Sequence, residues 1–170
     1  MTSSLLINFV LFGVLAVACA TDLRSRRIPN ALTFPSVAVG LALNSVLFGF
    51  DGLRDSASGC GLGLVMLLPL FVLRWMGAGD VKLMAAIGAL KGPEFVFYAC
   101  LWSAIFGGAI ALIGLVKSQR LGLALQHLYY SRLMPQAGGS FMQQAWRMPY
   151  APAIALGCCA VLYGMRGFAF

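Results

Sequence analysis

Apolar residues in this chain neither alternate nor keep to one helical face; they run on in long blocks. Six stretches, Ser4 to Ala20, Ala31 to Phe50, Ser58 to Trp75, Val81 to Leu90, Phe95 to Val116 and Tyr150 to Met165, are bounded by charges, Pro or Gly. About 20 such residues make a helix that crosses a hydrocarbon layer of about 30 Å. Backbone facing lipid has to satisfy its own N–H and C=O groups, which favours helix. The pattern predicts an all-α polytopic membrane protein with six transmembrane helices, forming a single membrane-embedded domain over 1–170. The fourth stretch, Val81 to Leu90, reaches only about 15 Å, so a short, broken helix is expected there.

Composition agrees with that pattern. The chain is 61% hydrophobic and only 10% charged, against roughly 25% charged residues in a soluble domain. The net charge of +7 is scattered between apolar blocks and forms no separate basic region, so nucleic acid is not expected as a partner. Five cysteines, Cys19, Cys60, Cys100, Cys158 and Cys159, lie in or beside apolar blocks without a CxxC pair. Neither a zinc site nor a disulfide framework follows from them, and no metal or cofactor is expected.

The charge is better read as topology. Residues 1–21 contain no Lys or Arg, whereas Arg24, Arg26 and Arg27 follow directly. That order is the reverse of a cleaved signal peptide. By the positive-inside rule it leaves the amino terminus outside and the first loop in the cytoplasm. Alternating six spans puts Arg24, Arg26, Arg27, Arg74, Lys82, Lys117, Arg120, Arg132 and Arg147 inside, and Arg54, Lys91 and Arg166 outside. The carboxyl terminus is then outside too, and membrane lipid is an expected partner. The loop Lys117 to Pro149, with Leu121, Leu125 and Leu128 at helical spacing, predicts an interfacial helix carrying His127 on its polar face.

Of five acids, Asp51, Asp55 and Glu94 fall in the outer loops of this scheme. Asp22 and Asp80 stand instead at the cytoplasmic ends of helices that run in opposite directions. Each has a bland explanation: a helical pair of Asp22 with Arg26, and a carboxylate at a helix amino terminus for Asp80. Carboxylates kept at membrane depth more often face a polar cavity or bundle interior, and these two are at matched depth. Two such groups cannot readily both ionise, which supplies an acid and a base together. The helix dipole favours charge on Asp80 and burial opposes it, and the pair titrates as a unit.

The neighbouring residues sharpen this. In the segment Asp22-Leu23-Arg24-Ser25-Arg26-Arg27-Ile28-Pro29-Asn30, Pro29 breaks the backbone and Asn30 is placed to cap the second helix. Before Asp80, Gly77-Ala78-Gly79 permits an unwound approach that leaves backbone groups open to another chain. Lys82 is placed to orient a carboxylate or a substrate carbonyl, or to act as a plain interfacial lysine.

On these residues the chain resembles the type IV prepilin peptidases, a family of GxGD membrane aspartyl proteases. The resemblance rests on residues 22–30, on Gly77-Ala78-Gly79-Asp80-Val81-Lys82, and on Pro149-Tyr150-Ala151-Pro152-Ala153-Ile154-Ala155-Leu156-Gly157, which is similar to the family's last-helix signature. It implies Asp22 and Asp80 as catalytic residues, and a bacterial inner-membrane endopeptidase that removes the basic leader peptide of a prepilin at the cytoplasmic face. Gly77, Gly79, Lys82, Arg26, Pro29 and Asn30 would support the site or bind substrate. Larger members carry paired CxxC motifs and also methylate the new amino terminus; without those motifs the chain resembles the compact, peptidase-only branch that serves Flp or Tad-type pilins. Two other classes fit a membrane chain with buried acids: a small proton-coupled transporter, opposed by the lack of an inverted repeat, and a non-catalytic assembly scaffold, which would not need two acids at one depth. Oligomeric state is not legible.

Overall fold

The computed structural model describes residues 2–73, 76–117 and 150–167. Among the described residues there are five helices and no strand: α1 (Thr2–Ser25), α2 (Asn30–Val72), α3 (Ala78–Lys91), α4 (Pro93–Lys117) and α5 (Ala151–Gly167). The segments Ser4–Ser25, Asn30–Val72 and Pro93–Ile113 are long and apolar enough to cross a membrane, and Ala151–Gly164 is a shorter apolar helix. Large side chains such as Phe9, Val46, Phe50 and Tyr163 are more than 80% exposed. That surface would aggregate in water and suits a protein dissolved in lipid.

The second and third apolar stretches are joined within α2. The expected loop between Phe50 and Ser58 is helical, with Asp51, Arg54 and Asp55 exposed along it. Helical geometry fails inside α2 at Gly49, where φ is 67° and ψ −143°, a conformation open to glycine and costly for other residues. The chain doubles back there. A Cβ on Gly52 would strike the carbonyl of Asn44, although residues eight apart in a straight helix stand about 12 Å from each other.

Helix α3 lies against both limbs of this hairpin. Gly40 on the first limb meets the backbone of Ala89, while Gly59 and Gly63 on the second meet Gly88 and Met84. The first limb thus runs parallel to α3 and the second antiparallel. The last carbonyls of a helix lack partners within it, and here α2 supplies them. Asn44 Nδ2 donates to the carbonyls of Ala89 at 3.0 Å and Leu90 at 3.2 Å, and Ser56 Oγ donates to Ala89. Gly92, with φ 84°, closes α3, and Pro93 opens α4.

Helices α4 and α5 are antiparallel, with Gly107 under the Tyr150 ring and Gly157 against Ser103 and Ala99. The Tyr150 hydroxyl donates to the Ser103 carbonyl at 3.0 Å. Successive passages therefore alternate between two ends of the bundle. The close of α1 and the starts of α2, α3 and α5 share one end; Gly49 and Gly92 share the other.

Two boundaries differ from the sequence pattern in ways that matter for the acids. α1 continues to Ser25 because Thr21 and Ser25 donate to the carbonyls of Val17 and Thr21 at 2.8 and 2.7 Å, an arrangement that lets short polar side chains sit in a helix. Asp22 is therefore in the last turn of α1. α3 starts at Ala78, so Asp80 is within its first turn. The expected interfacial helix with His127 lies outside the described residues.

A Cβ at Gly88 would collide with the Gly59 carbonyl, whereas Gly61 has open space around it. Gly88→Leu is expected to lower the thermal unfolding midpoint of the detergent-solubilised protein by at least about 4 °C, from the usual cost of overpacking. Gly61→Leu should leave it within about 1 °C by the same measure. Equal midpoints for the two variants would show that the α2–α3 contact is not close.

Candidate active site

Helix α1 has to end before the chain can turn into α2, and the way it ends sets the position of Asp22. The backbone N–H of Arg26 donates to the Asp22 carbonyl at 2.8 Å, with Arg26 at φ 50°. That is an αL helix terminus formed without glycine, at a cost of about 1–2 kcal/mol. The Asp22 side chain is only 6% exposed. Its Oδ2 accepts the backbone N–H of Ala151 at 2.9 Å, from the first turn of α5. The bland alternative of a helical pair with Arg26 is not what holds Asp22: Arg26 is exposed and serves the turn through its backbone.

Asp80 is tied to its own helix start. Its N–H donates to the Gly77 carbonyl at 3.2 Å, and its Oδ2 accepts the Gly77 N–H at 3.3 Å. A Cβ on Gly79 would lie 3.0 Å from the Ile28 Cβ, so the missing side chain of Gly79 lets the 26–29 connector lie against the first turn of α3. The space expected for another chain is filled at Gly79 by Ile28 itself. This contact and the Ala151 bond draw the ends of α1, α3 and α5 together.

The remaining supporting residues lie around the same end. Pro29, not Asn30, holds the N-cap position of α2, and its carbonyl accepts the N–H of Leu32 at 3.0 Å. Asn30 is the first helical residue, and its Oδ1 accepts a hydrogen bond from Lys82 Nζ at 2.9 Å. The Lys82 ammonium also lies 5.1 Å from the centre of the Phe34 ring, an attractive cation–π arrangement. Lys82 thus fastens the start of α3 to the start of α2, a use of this residue that the sequence pattern does not reveal.

Asp22, in the last turn of α1, and Asp80, in the first turn of α3, thus stand at the same end of the bundle. The part missing from the sequence pattern is Ala151. The signal was there in weak form, since Tyr150-Ala151-Pro152 opens a helix whose first amides have no internal acceptor.

The fold and the site describe a helical membrane protein with two carboxylates at one end of its bundle. The chain belongs to the type IV leader peptidase family, whose sequence profile matches residues 9–112, a span that contains both aspartates. It is similar to a prepilin leader peptidase/N-methyltransferase of Burkholderia pseudomallei (strain K96243), 35% identical over 62% of this chain and 36% of that protein. A protein of the same name from Bacillus subtilis (strain 168) is 27% identical over 91% of this chain and 54% of its own length. Prepilin peptidase EppA of Methanocaldococcus jannaschii is 33% identical over 55% of this chain and 25% of that protein. The chain spans about half or less of the length of these relatives. No solved structure matches it.

Proposed function

We propose that the chain is an aspartyl endopeptidase that cleaves the basic leader from type IV prepilins, Flp-like ones among them, with Asp22 and Asp80 as its catalytic pair. The observation that carries this reading is the convergence of the two acids, 58 positions apart in the sequence, at one end of the bundle, where Ile28 packs on Gly79 beside Asp80 and Asp22 accepts the Ala151 N–H. Family membership and the names of the relatives support the substrate class.

In this reading a water bound between the carboxylates loses a proton to the charged one as its oxygen attacks the scissile carbonyl. The protonated carboxyl gives its proton to the carbonyl oxygen, forming a neutral gem-diol. On collapse the first carboxyl protonates the departing nitrogen, the C–N bond breaks, and a diol hydroxyl returns a proton to the second. The pair ends as it began, and general acid–base assistance of this kind contributes typically 10²–10⁴ in rate. The reading proposed here is of the hydrolytic step.

We place the site at the cytoplasmic edge of the inner membrane. Six crossings, counting the two limbs of α2 separately and including short α3, put nine of the twelve basic residues on that side. The alternation of passages between two ends supports the count. A 14-residue α3 rises about 21 Å, less than the hydrocarbon thickness, so Asp80 would be recessed below the membrane surface, where the junction of a basic leader and an apolar pilin helix can reach it.

Co-expression with a candidate prepilin tests the activity by mobility shift. Asp22→Asn and Asp80→Asn should each lower cleavage by at least about 100-fold with membrane insertion intact, while Asp51→Asn, Asp55→Asn and Glu94→Gln stay near the unmutated rate. Normal cleavage in either of the first two would remove the acid pair from the mechanism. Separately, single-cysteine labelling in a cysteine-free background should find positions 27 and 78 reachable from the cytoplasm and position 53 and the carboxyl terminus from outside. Labelling of 27 and 78 from opposite sides would break the proposed topology.

A further inference from the structure

The acid pair needs one member to hold charge and the other to hold a proton. We infer that the head of α5 makes this assignment: the Ala151 N–H, donated to Asp22 Oδ2, keeps Asp22 as the charged base and leaves Asp80 as the acid. The inference rests on the peptidase reading and deepens it by naming Ala151 as a positioning residue, which acts on Asp22 through its backbone.

The hydrogen bonds carry the assignment. Burial opposes charge on Asp22, the more buried of the two acids, so a charge there depends on its hydrogen bond. Its donor is a first-turn amide of α5, one of the groups that a helix leaves without an internal acceptor. The amino ends of α5 and α3 each add a partial positive charge of about half a unit, so the hydrogen bonds, not the dipoles, separate the two acids. Asp80 has a weaker hold, since its donor is the Gly77 N–H at 3.3 Å, beyond the usual 2.7–3.2 Å range for such bonds.

Other ionisable groups around Asp22 do not reverse the order. α3 contributes Asp80, and also Lys82, which is engaged with Asn30. α1 contributes Cys19, one turn earlier, and α5 is headed by Tyr150, whose hydroxyl is donated to Ser103. The ionisable residues of α2 are Asp51, Arg54, Asp55 and Cys60, toward the far end of the bundle. The basic residues beside Asp22, Arg24, Arg26 and Arg27, are exposed. Applied to the hydrolytic step, the assignment has Asp22 take the proton of water and later give it to the nitrogen. Asp80 lends its proton to the carbonyl oxygen and recovers it.

Ala151 is the first residue of α5, a position where proline fits a helix and where its missing N–H interrupts no helical bond. The test is the pH profile of prepilin cleavage by the full-length chain in liposomes, with a prepilin that the unmutated chain cleaves. Ala151→Pro removes the donor, and an ester in place of the 150–151 peptide bond, introduced with lactic acid at 151, removes it without added bulk. Ala151→Gly and Ala151→Ser keep it. Loss of a hydrogen bond to a charged group should move the acid limb of the profile up by about one pH unit in the proline and ester variants, with the basic limb in place. The glycine and serine variants should keep the unmutated profile.

An unshifted acid limb in the ester variant, whatever the rate, would overturn the assignment, as would a shift confined to the basic limb. Should Ala151→Pro fail to accumulate, the ester variant alone decides. Failure of the peptidase reading itself would look different: cleavage would survive in Asp22→Asn.

Discussion

Close backbone contact between α3 and the two limbs of α2 is the interaction on which the rest of the structure depends. In lipid there is no hydrophobic gain in bringing two apolar helices together, so association relies on close packing and on polar groups satisfied across the interface. Both are present here. Gly40, Gly59, Gly63 and Gly88 let backbones touch, and Asn44 and Ser56 meet the carbonyls that end α3. Asp80 rides at the opposite end of this helix. A tilt of roughly 5° about the glycine contacts would displace that end by about 2 Å over the helix length. Packing at one end of the bundle thus sets the position of Asp80 at the other.

The manner in which the acids are held matters as much as their position. Asp22 and Asp80 take their hydrogen bonds from the backbone amides of Ala151 and Gly77, while Lys82 is turned toward Asn30 and Phe34. A full ion pair would fix a carboxylate in its charged form over a wide pH range. A neutral amide dipole biases the charge without locking it, which suits the proton exchange proposed for the pair.

Much of this was legible in the sequence, and the reasons for the exceptions are physical. Long apolar blocks mark helices reliably because lipid enforces them, and two acids stood out because charge is rare in such a chain. Helix ends were read less well. Thr21 and Ser25 look like loop residues until their hydroxyls find carbonyls one turn back. Asp51, Arg54 and Asp55 look like a loop until the turn is found to be confined to Gly49. The contacts that assemble the site join residues remote in sequence, with Asp22 meeting Ala151, Ile28 meeting Gly79 and Lys82 meeting Asn30. No local pattern carries those pairings; a backbone amide in particular leaves no trace in residue identity, which is why Ala151 reads as nothing more than a helix start.

The two ends of the bundle are also built differently, and the difference suits a site at one of them. Among the described residues the glycines with positive φ are Gly49 and Gly92, and both make tight returns at the end away from the acids. Each return sends the chain back across the bundle, first along the second limb of α2 and then along α4, so that α3 and α5 both begin beside the close of α1. A tight glycine turn satisfies its own backbone and leaves little open. A helix start preceded by extended backbone, as at Gly77 and Pro29, leaves amide groups pointing outward. Putting the closed turns at one end and the open helix starts at the other gathers free amide donors beside the two carboxylates, and among the described residues it is amides, not cations, that hydrogen-bond them.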